Sequence, residues 1–124
     1  MPWTLSKRFT FEAAHHLPYH EGKCCRQHGH SWGLIIEASS RTLHAQGSQR
    51  GMVLDYGEIS EQVGPLLAEI LDHHDLNVTT GLESPTSEAL AEWIYQWLKP
   101  SLPELSAVRI EETCTSGCRY TPDS

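Results

Sequence analysis

Long apolar runs are missing from this sequence. A helix needs about 20 consecutive apolar residues to cross a bilayer, and no stretch of the 124-residue chain comes near that length. The first residues, MPWTLSKRFTFEAAHH, also lack the apolar core of a secretory signal. We therefore expect no membrane partner and a location in the cytoplasm.

Positive charge is scarce as well. Nine Lys and Arg residues stand against 16 Asp and Glu residues, which gives a formal charge of −7. Proteins that bind nucleic acids neutralise phosphates with clustered Lys and Arg side chains, so we expect no nucleic-acid partner. An anionic substrate has to be held by a local site and not by the field of the whole molecule.

Cysteine is limited to four residues, and none of them forms a C-x-x-C pair. Cys24 and Cys25 are adjacent, so their side chains diverge, and the C-x3-C spacing of Cys114 and Cys118 is only a weak zinc signal. A reducing compartment favours free thiols over disulfides. Thiolate ligands are also typical of closed, structural metal sites. The spacing therefore leaves a thiol free for chemistry.

Histidine is what the chain has in excess, with eight residues spread along its length. His28 and His30 flank Gly29 in a strand-like run, so both side chains leave the same face, about 7 Å apart at Cα. His15 ends another strand-like segment and is the best candidate for a third ligand. Three histidines with an open fourth position are typical of a catalytic zinc site. The alternative is a pair of surface or hydrogen-bonded histidines without a metal.

Hydrophobic periodicity predicts an α+β fold in one domain, residues 1–124. Alternation predicts strands at three places and a short extended piece, over 4–15, 28–39, 106–114 and 52–56. Helical spacing predicts a first helix over 58–71 and a second with Ser84 as N-cap and Pro85 as its first residue. We expect an antiparallel sheet with two helices on one face. So few strands leave exposed edges, which favours oligomerisation.

Resemblance to a known family extends along nearly the whole chain. The chain resembles the 6-pyruvoyltetrahydropterin synthase family at five segments, which follow one another in the same order: FEAAHHL, CCRQHGH, LDHHDLN, PTSEALAEWI and VRIEETCTSGCRY. The bacterial queuosine-pathway branch is most similar; its members convert 7,8-dihydroneopterin triphosphate to 6-carboxy-5,6,7,8-tetrahydropterin, releasing acetaldehyde and triphosphate. The resemblance implies the tunnelling fold (T-fold). In that fold trimers close a barrel of strands, and two trimers stack into a homohexamer with active sites between subunits.

The resemblance also implies a metal centre and a catalytic thiol. Zn²⁺ would be bound by His15, His28 and His30, and Cys24, four residues before His28, would be the catalytic thiol. The alternative for Cys24 is a buried, inert thiol. Cys25 stands where the bacterial branch often has glycine, so a second thiol lies beside the expected one.

An acid/base pair and a pterin anchor follow from the same resemblance. Asp72 and His73, at the end of the first predicted helix, would be the partner acid and base, with His74 as a competing choice. Without the resemblance, this segment fits a solvated helix end. Glu112 would anchor the pterin ring, because a carboxylate can accept from adjacent ring N–H and amino groups. An exposed strand-end role fits Glu111 better.

Further substrate contacts are candidates near these segments. Thr86 and Ser87 are better suited to capping the second helix, while Glu88 could reach the pterin. Lys23 and Arg26 are candidate triphosphate contacts. Two other functions stay open: a 6-pyruvoyltetrahydropterin synthase that only eliminates triphosphate, and a non-catalytic zinc- or pterin-binding protein.

Overall fold

A five-stranded sheet forms the centre of the molecule. The computed structural model describes residues 1–113 and 115–122. The strands, in chain order, are β1 Trp3–His15, β2 His28–Ser40, β3 His74–Asp75, β4 Leu105–Thr113 and β5 Ser116–Tyr120. Their order across the sheet is β3-β1-β2-β4-β5, with β1, β2, β4 and β5 antiparallel in succession. The short β3 runs parallel to β1, so the sheet is mixed and the expectation of a purely antiparallel sheet is wrong.

Helices cover one face of this sheet. They are α1 Tyr56–Leu66, α2 Leu76–Thr79 and α3 Ser87–Leu98, and a π-helical turn, Leu67–Leu71, extends α1. Alternation along the strands sends one set of apolar side chains towards the helices, as at Phe11, Leu34 and Ile110. Ile59 of α1 and Ile94 of α3 pack into the same buried core. The predicted placement of two helices on one face is therefore confirmed.

The opposite sheet face is polar and carries paired charges. The Arg119 guanidinium donates to both Glu37 carboxylate oxygens, over 3.0 and 2.9 Å. This pairing lowers the pKa of the Glu37 carboxyl. Arg8 reaches Glu111 with an N–O distance of 2.5 Å. A charged, helix-free face of this kind can border water or another polar surface.

Helix boundaries differ from those predicted. The segment expected to be extended up to Tyr56 is not a strand, because the Asp55 side chain accepts from the Gly57 amide and starts α1 at Tyr56. The second predicted helix begins at Ser87 and not at Pro85. Its N-cap is Thr86, whose side chain accepts from Ala89 N, which confirms the capping role of Thr86. Pro85 lies outside the helix, and its carbonyl oxygen accepts a hydrogen bond from a histidine of the site described below.

Within residues 1–113 and 115–122, no helix combines the length and apolar character required to cross a membrane.

Candidate metal centre and neighbouring acid/base groups

Three imidazoles converge where β1 ends and β2 begins. The strand register sets His15 opposite His28, and Ala13 opposite His30. All three histidines therefore project from the helix-covered face of the sheet. One potential ligand atom from each lies within 4.8 Å of the other two. The predicted set of His15, His28 and His30 is brought together, and it could hold a metal ion.

Backbone carbonyls orient two of these rings. His15 Nδ1 lies 2.9 Å from the Pro85 carbonyl oxygen, and His28 Nδ1 lies 2.8 Å from that of Arg26. Because a carbonyl only accepts, each Nδ1 carries the hydrogen, and in the neutral ring Nε2 then has the free lone pair. Both Nε2 atoms are buried and have no hydrogen-bond partner among the described residues. Buried polar atoms are rarely left unpaired, so this arrangement fits a cation between the rings.

Burial keeps two of the imidazoles neutral. Desolvation lowers the pKa of His15, and the positive form is further disfavoured by His28 and His30, although the Pro85 carbonyl and Glu112 act in the opposite direction. Desolvation also lowers the pKa of His30, against the opposing effect of Glu112. Metal ligation requires the neutral ring. At pH 7 the His15 and His30 rings are therefore in the neutral form that can bind a metal ion.

Trp32 packs against the histidine cluster. This role was not predicted from the sequence. It follows His28 and His30 at the same two-residue interval, so it continues their face of β2. Its ring meets those of His15 and His30 edge to face, with centroids 5.0 and 5.4 Å apart. Its Nε1 donates to the Ala13 carbonyl over 3.1 Å. The two-residue interval was the sequence signal that could have found it.

Glu112 brings a carboxylate to the rim of the cluster. Its Oε1 lies 3.2 Å from His15 Nε2 and 3.6 Å from His30 Nε2. The side chain lies on the helix-covered face, where Ile110 is part of the core. Glu111 points to the other face, where it pairs with Arg8. A donor-rich ring bound by Glu112 would therefore lie next to the histidines.

The two neighbouring thiols occupy a short turn before β2. A 3-10 turn spans Lys23–Cys25, and the Leu17 amide donates to the Cys24 carbonyl over 2.9 Å, which ties the turn to the end of β1. The Cys24 side chain is half-buried, whereas Cys25 is exposed. Lys23 and Arg26 are also exposed. Cys114 lies outside the described residues, so the structure does not test the C-x3-C spacing of Cys114 and Cys118 as a zinc signal.

Asp72 and His73 form a direct pair, which their adjacency in sequence did not guarantee. Asp72 Oδ2 lies 3.1 Å from His73 Nδ1, and Asp72 Oδ1 accepts from the Glu12 amide over 2.9 Å. These bonds, the amide bond first, lower the pKa of Asp72. His73 has a φ of 61°, and its backbone N–H donates to the Glu12 carbonyl over 2.5 Å. His74 turns away instead, its Nε2 lying 3.2 Å from the Ala68 carbonyl.

The Asp72–His73 pair lies beside a cavity that adjoins the histidine cluster. His73 lines this cavity of about 550 Å³ together with Glu12, Ser31 and His30, and His30 is one of the three clustered histidines. The Glu12 and Ser31 side chains are bonded to each other over 2.7 Å. The Glu12 and Ser31 side chains project from the polar face of the sheet, because these residues alternate along their strands with those of the helix-covered face, to which His15 belongs.

Glu88 is exposed in the first turn of α3. Together with burial, it raises the pKa of Cys118.

Fold and site together define an α+β protein with a three-histidine candidate metal centre at one end of its sheet. The chain belongs to the 6-pyruvoyl tetrahydropterin synthase family, whose sequence model matches residues 4–123. It is 49% identical to a 6-carboxy-5,6,7,8-tetrahydropterin synthase of Synechocystis, over 95% of this chain and 92% of that protein. It is 30% identical to a synthase of the same name from Haemophilus influenzae, over 94% and 96% of the two chains. The predicted resemblance is confirmed.

A solved structure supports the fold. The 6-pyruvoyl tetrahydropterin synthase of Caenorhabditis elegans superimposes with a TM-score of 0.83, covering 98% of this chain and 96% of that one at 24% identity. At that identity the likeness concerns the fold. It agrees with the T-fold expected for a single subunit.

Proposed function

We propose that this protein converts 7,8-dihydroneopterin triphosphate to 6-carboxy-5,6,7,8-tetrahydropterin, with release of acetaldehyde and triphosphate, in the queuosine pathway. The observation that carries the proposal is the histidine cluster, whose buried Nε2 atoms at His15 and His28 have no hydrogen-bond partner among the described residues. The 49% identity to the Synechocystis synthase supports the choice of this reaction within the family.

Zn²⁺ is the metal we propose for His15, His28 and His30. Neutral imidazoles suit zinc, and three protein ligands leave a position for water or substrate. When bound, zinc supplies Lewis acidity, which favours loss of a side-chain hydroxyl proton and stabilises enolate-like charge. The carbonyl oxygens of Pro85 and Arg26 hold the ligand rings in orientation.

Glu112 is proposed to orient the substrate. A pterin presents adjacent N–H and NH₂ donors, and a carboxylate can accept from both. Because Oε1 of Glu112 lies 3.2 Å from His15 Nε2, a ring bound there would carry its side chain beside the histidines. Glu88, Lys23 and Arg26 are exposed and are proposed as further contacts to the pterin and the triphosphate.

Proton transfer is assigned to two groups, Cys24 and His73. Cys24 is proposed as the base that removes a proton from the substrate side chain. His73 is proposed as the acid, since its Nδ1 lies 3.1 Å from Asp72 Oδ2, which orients the ring. Within one subunit the described side-chain bonds of Asp72 and His73 run to each other and to the Glu12 amide, and their backbone amides donate to the Leu67 and Glu12 carbonyls. From the family resemblance we propose a homohexamer in which these groups act with Cys24 of another subunit.

Product analysis tests the reaction. The purified protein is incubated with 7,8-dihydroneopterin triphosphate, and both the pterin and the carbon fragment are identified. We expect the 6-carboxy product together with acetaldehyde. A 6-pyruvoyl product without acetaldehyde would instead assign the triphosphate elimination, and binding without turnover would assign a non-catalytic role.

Metal analysis tests the centre separately. We expect one zinc per chain in the wild-type protein and loss of that zinc in His30→Ala. His44→Ala, which changes an exposed loop histidine, is the matched control and should keep the metal. Wild-type protein that cannot be loaded with zinc would refute the proposed centre.

A further inference from the structure

Asn77 joins three segments of the chain through one side-chain amide. It is the second residue of α2. Its Oδ1 accepts from the His16 amide over 2.9 Å, and its Nδ2 donates to the His16 carbonyl over 2.9 Å and to the Glu83 carbonyl over 3.1 Å. The oxygen and both hydrogens of the carboxamide are thus engaged with backbone groups.

These bonds continue the sheet beyond its last strand pair. β3 pairs with β1 at Ala13 and Ala14, and there the chain turns into α2. At His16 the Asn77 side chain takes over, bonding to both the N–H and the C=O as a neighbouring strand would. The backbone of His15 is therefore held from both sides, by strand pairing before it and by Asn77 after it.

The third bond reaches the segment that orients the His15 ring. Glu83 lies two residues before Pro85, whose carbonyl accepts from His15 Nδ1 over 2.9 Å. Asn77 fixes the Glu83 carbonyl, and the Tyr19 hydroxyl adds a bond to the Glu83 carboxylate. On the other side of Pro85, Thr86 is held as the N-cap of α3. The Pro85 carbonyl is therefore fixed between two anchored neighbours.

We infer that Asn77 is a positioning residue for the three-histidine centre. It contributes no atom to the cluster, but it fixes both the main chain that carries His15 and the carbonyl that sets the direction of His15 Nε2. Partners that orient a metal-bound histidine determine metal affinity strongly. The inference rests on the proposed function, because it assumes that the three histidines bind a metal.

The test compares Asn77→Ala with a matched variant of the same helix. Thr79→Ala removes a side chain that bonds to the Ile70 carbonyl over 2.7 Å and has no bond to residue 16 or 83. The full-length proteins are compared by zinc affinity in chelator competition, by the visible absorption of the Co²⁺ form, and by the melting temperature of the metal-free form. We expect Asn77→Ala to lose zinc affinity about 10- to 100-fold and to change the Co²⁺ spectrum. Thr79→Ala should keep both, even where its melting temperature falls as far.

Two results would overturn the inference, and a third variant guards against a fold defect. Equal zinc affinity and Co²⁺ spectra in Asn77→Ala and Thr79→Ala would reduce Asn77 to a structural residue. Asn77→Asp keeps the acceptor for the His16 amide but has no hydrogen for the two carbonyls, so we expect weaker binding there too; wild-type binding would refute the role of the donor bonds. If the wild type itself binds no zinc, the proposed function fails first.

Discussion

Cys24 and Cys25 are adjacent in sequence but not equivalent in space. Cys24 is half-buried and its backbone carbonyl is tied to Leu17, whereas Cys25 is exposed. General base catalysis contributes about 10²- to 10⁴-fold to a rate. We expect Cys24→Ala to lose kcat by that range with zinc content unchanged, because the thiol is proposed to act off the metal.

Cys25→Ala is the matched control for this substitution. It should retain the wild-type rate of acetaldehyde release, measured by coupled reduction of acetaldehyde. A large loss in Cys25→Ala with an active Cys24→Ala would exchange the roles of the two thiols.

Protonation of the histidine cluster gives a second prediction at this scale. The pKa values of His15 and His30 are lowered in the folded protein, chiefly by burial, whereas an unfolded histidine titrates near pH 6.5. As the pH falls below about 6.5, the metal-free unfolded chain therefore takes up protons that the folded state does not. We expect the free energy of unfolding to fall over this range and to level off above it.

Urea unfolding of the metal-free protein between pH 7.5 and about 5.5 measures this effect. The lowered pKa values of the Glu37 and Asp72 carboxyls act at lower pH and do not interfere. His30→Asn should reduce the pH dependence, while His44→Asn, at an exposed site, should leave it unchanged. Stability that is constant over the whole range would contradict the assignment.

At the scale of elements, length decides what the sequence could predict. The strands ending at His15 and beginning at His28 were predicted because each is 13 residues long, which is enough for an extended pattern to be recognised. β3 has two residues and α2 has four, which is too short for any period to register. β5 places only Cys118 and Tyr120 on the core side, so it was missed. The histidine spacing predicted the cluster, but the carbonyls that orient the rings depend on tertiary contacts.

The start of α3 offers a prediction at this scale. Sequence pattern favoured Ser84 as the N-cap, but the Thr86 side chain makes the capping bond, to Ala89 N over 3.1 Å. Loss of an N-cap costs about 1 kcal/mol. We expect Thr86→Ala to lower the free energy of unfolding by about that amount in urea, while Ser84→Ala changes it little. The reverse order would restore Ser84 as the cap.

At the scale of the whole molecule, the outer edge of the sheet bears on whether the proposed site is shared between subunits. His73 lines a cavity with Glu12, Ser31 and His30, so this cavity adjoins the histidine cluster. Among the described residues, no strand pairs with the outer edge of β1 before Ala13. Unpaired strand edges are natural sites of subunit association. A ring of subunits would remove the edges and bring the polar cavity of one chain against the next.

Subunit mixing tests whether the proposed site is shared. Cys24→Ala and His73→Asn should each be inactive; Asn is chosen because it tolerates the positive φ at position 73. In a mixed oligomer, the intact Cys24 of a His73→Asn subunit can meet the intact His73 of a Cys24→Ala subunit. Random association then restores about a quarter of the sites in a cyclic assembly. Co-expression of the two variants should therefore regain activity, whereas Cys24→Ala mixed with the double variant should not. If the first mixture also stays inactive while forming mixed oligomers, Cys24 and His73 must act within one chain, and the subunit must close its own site.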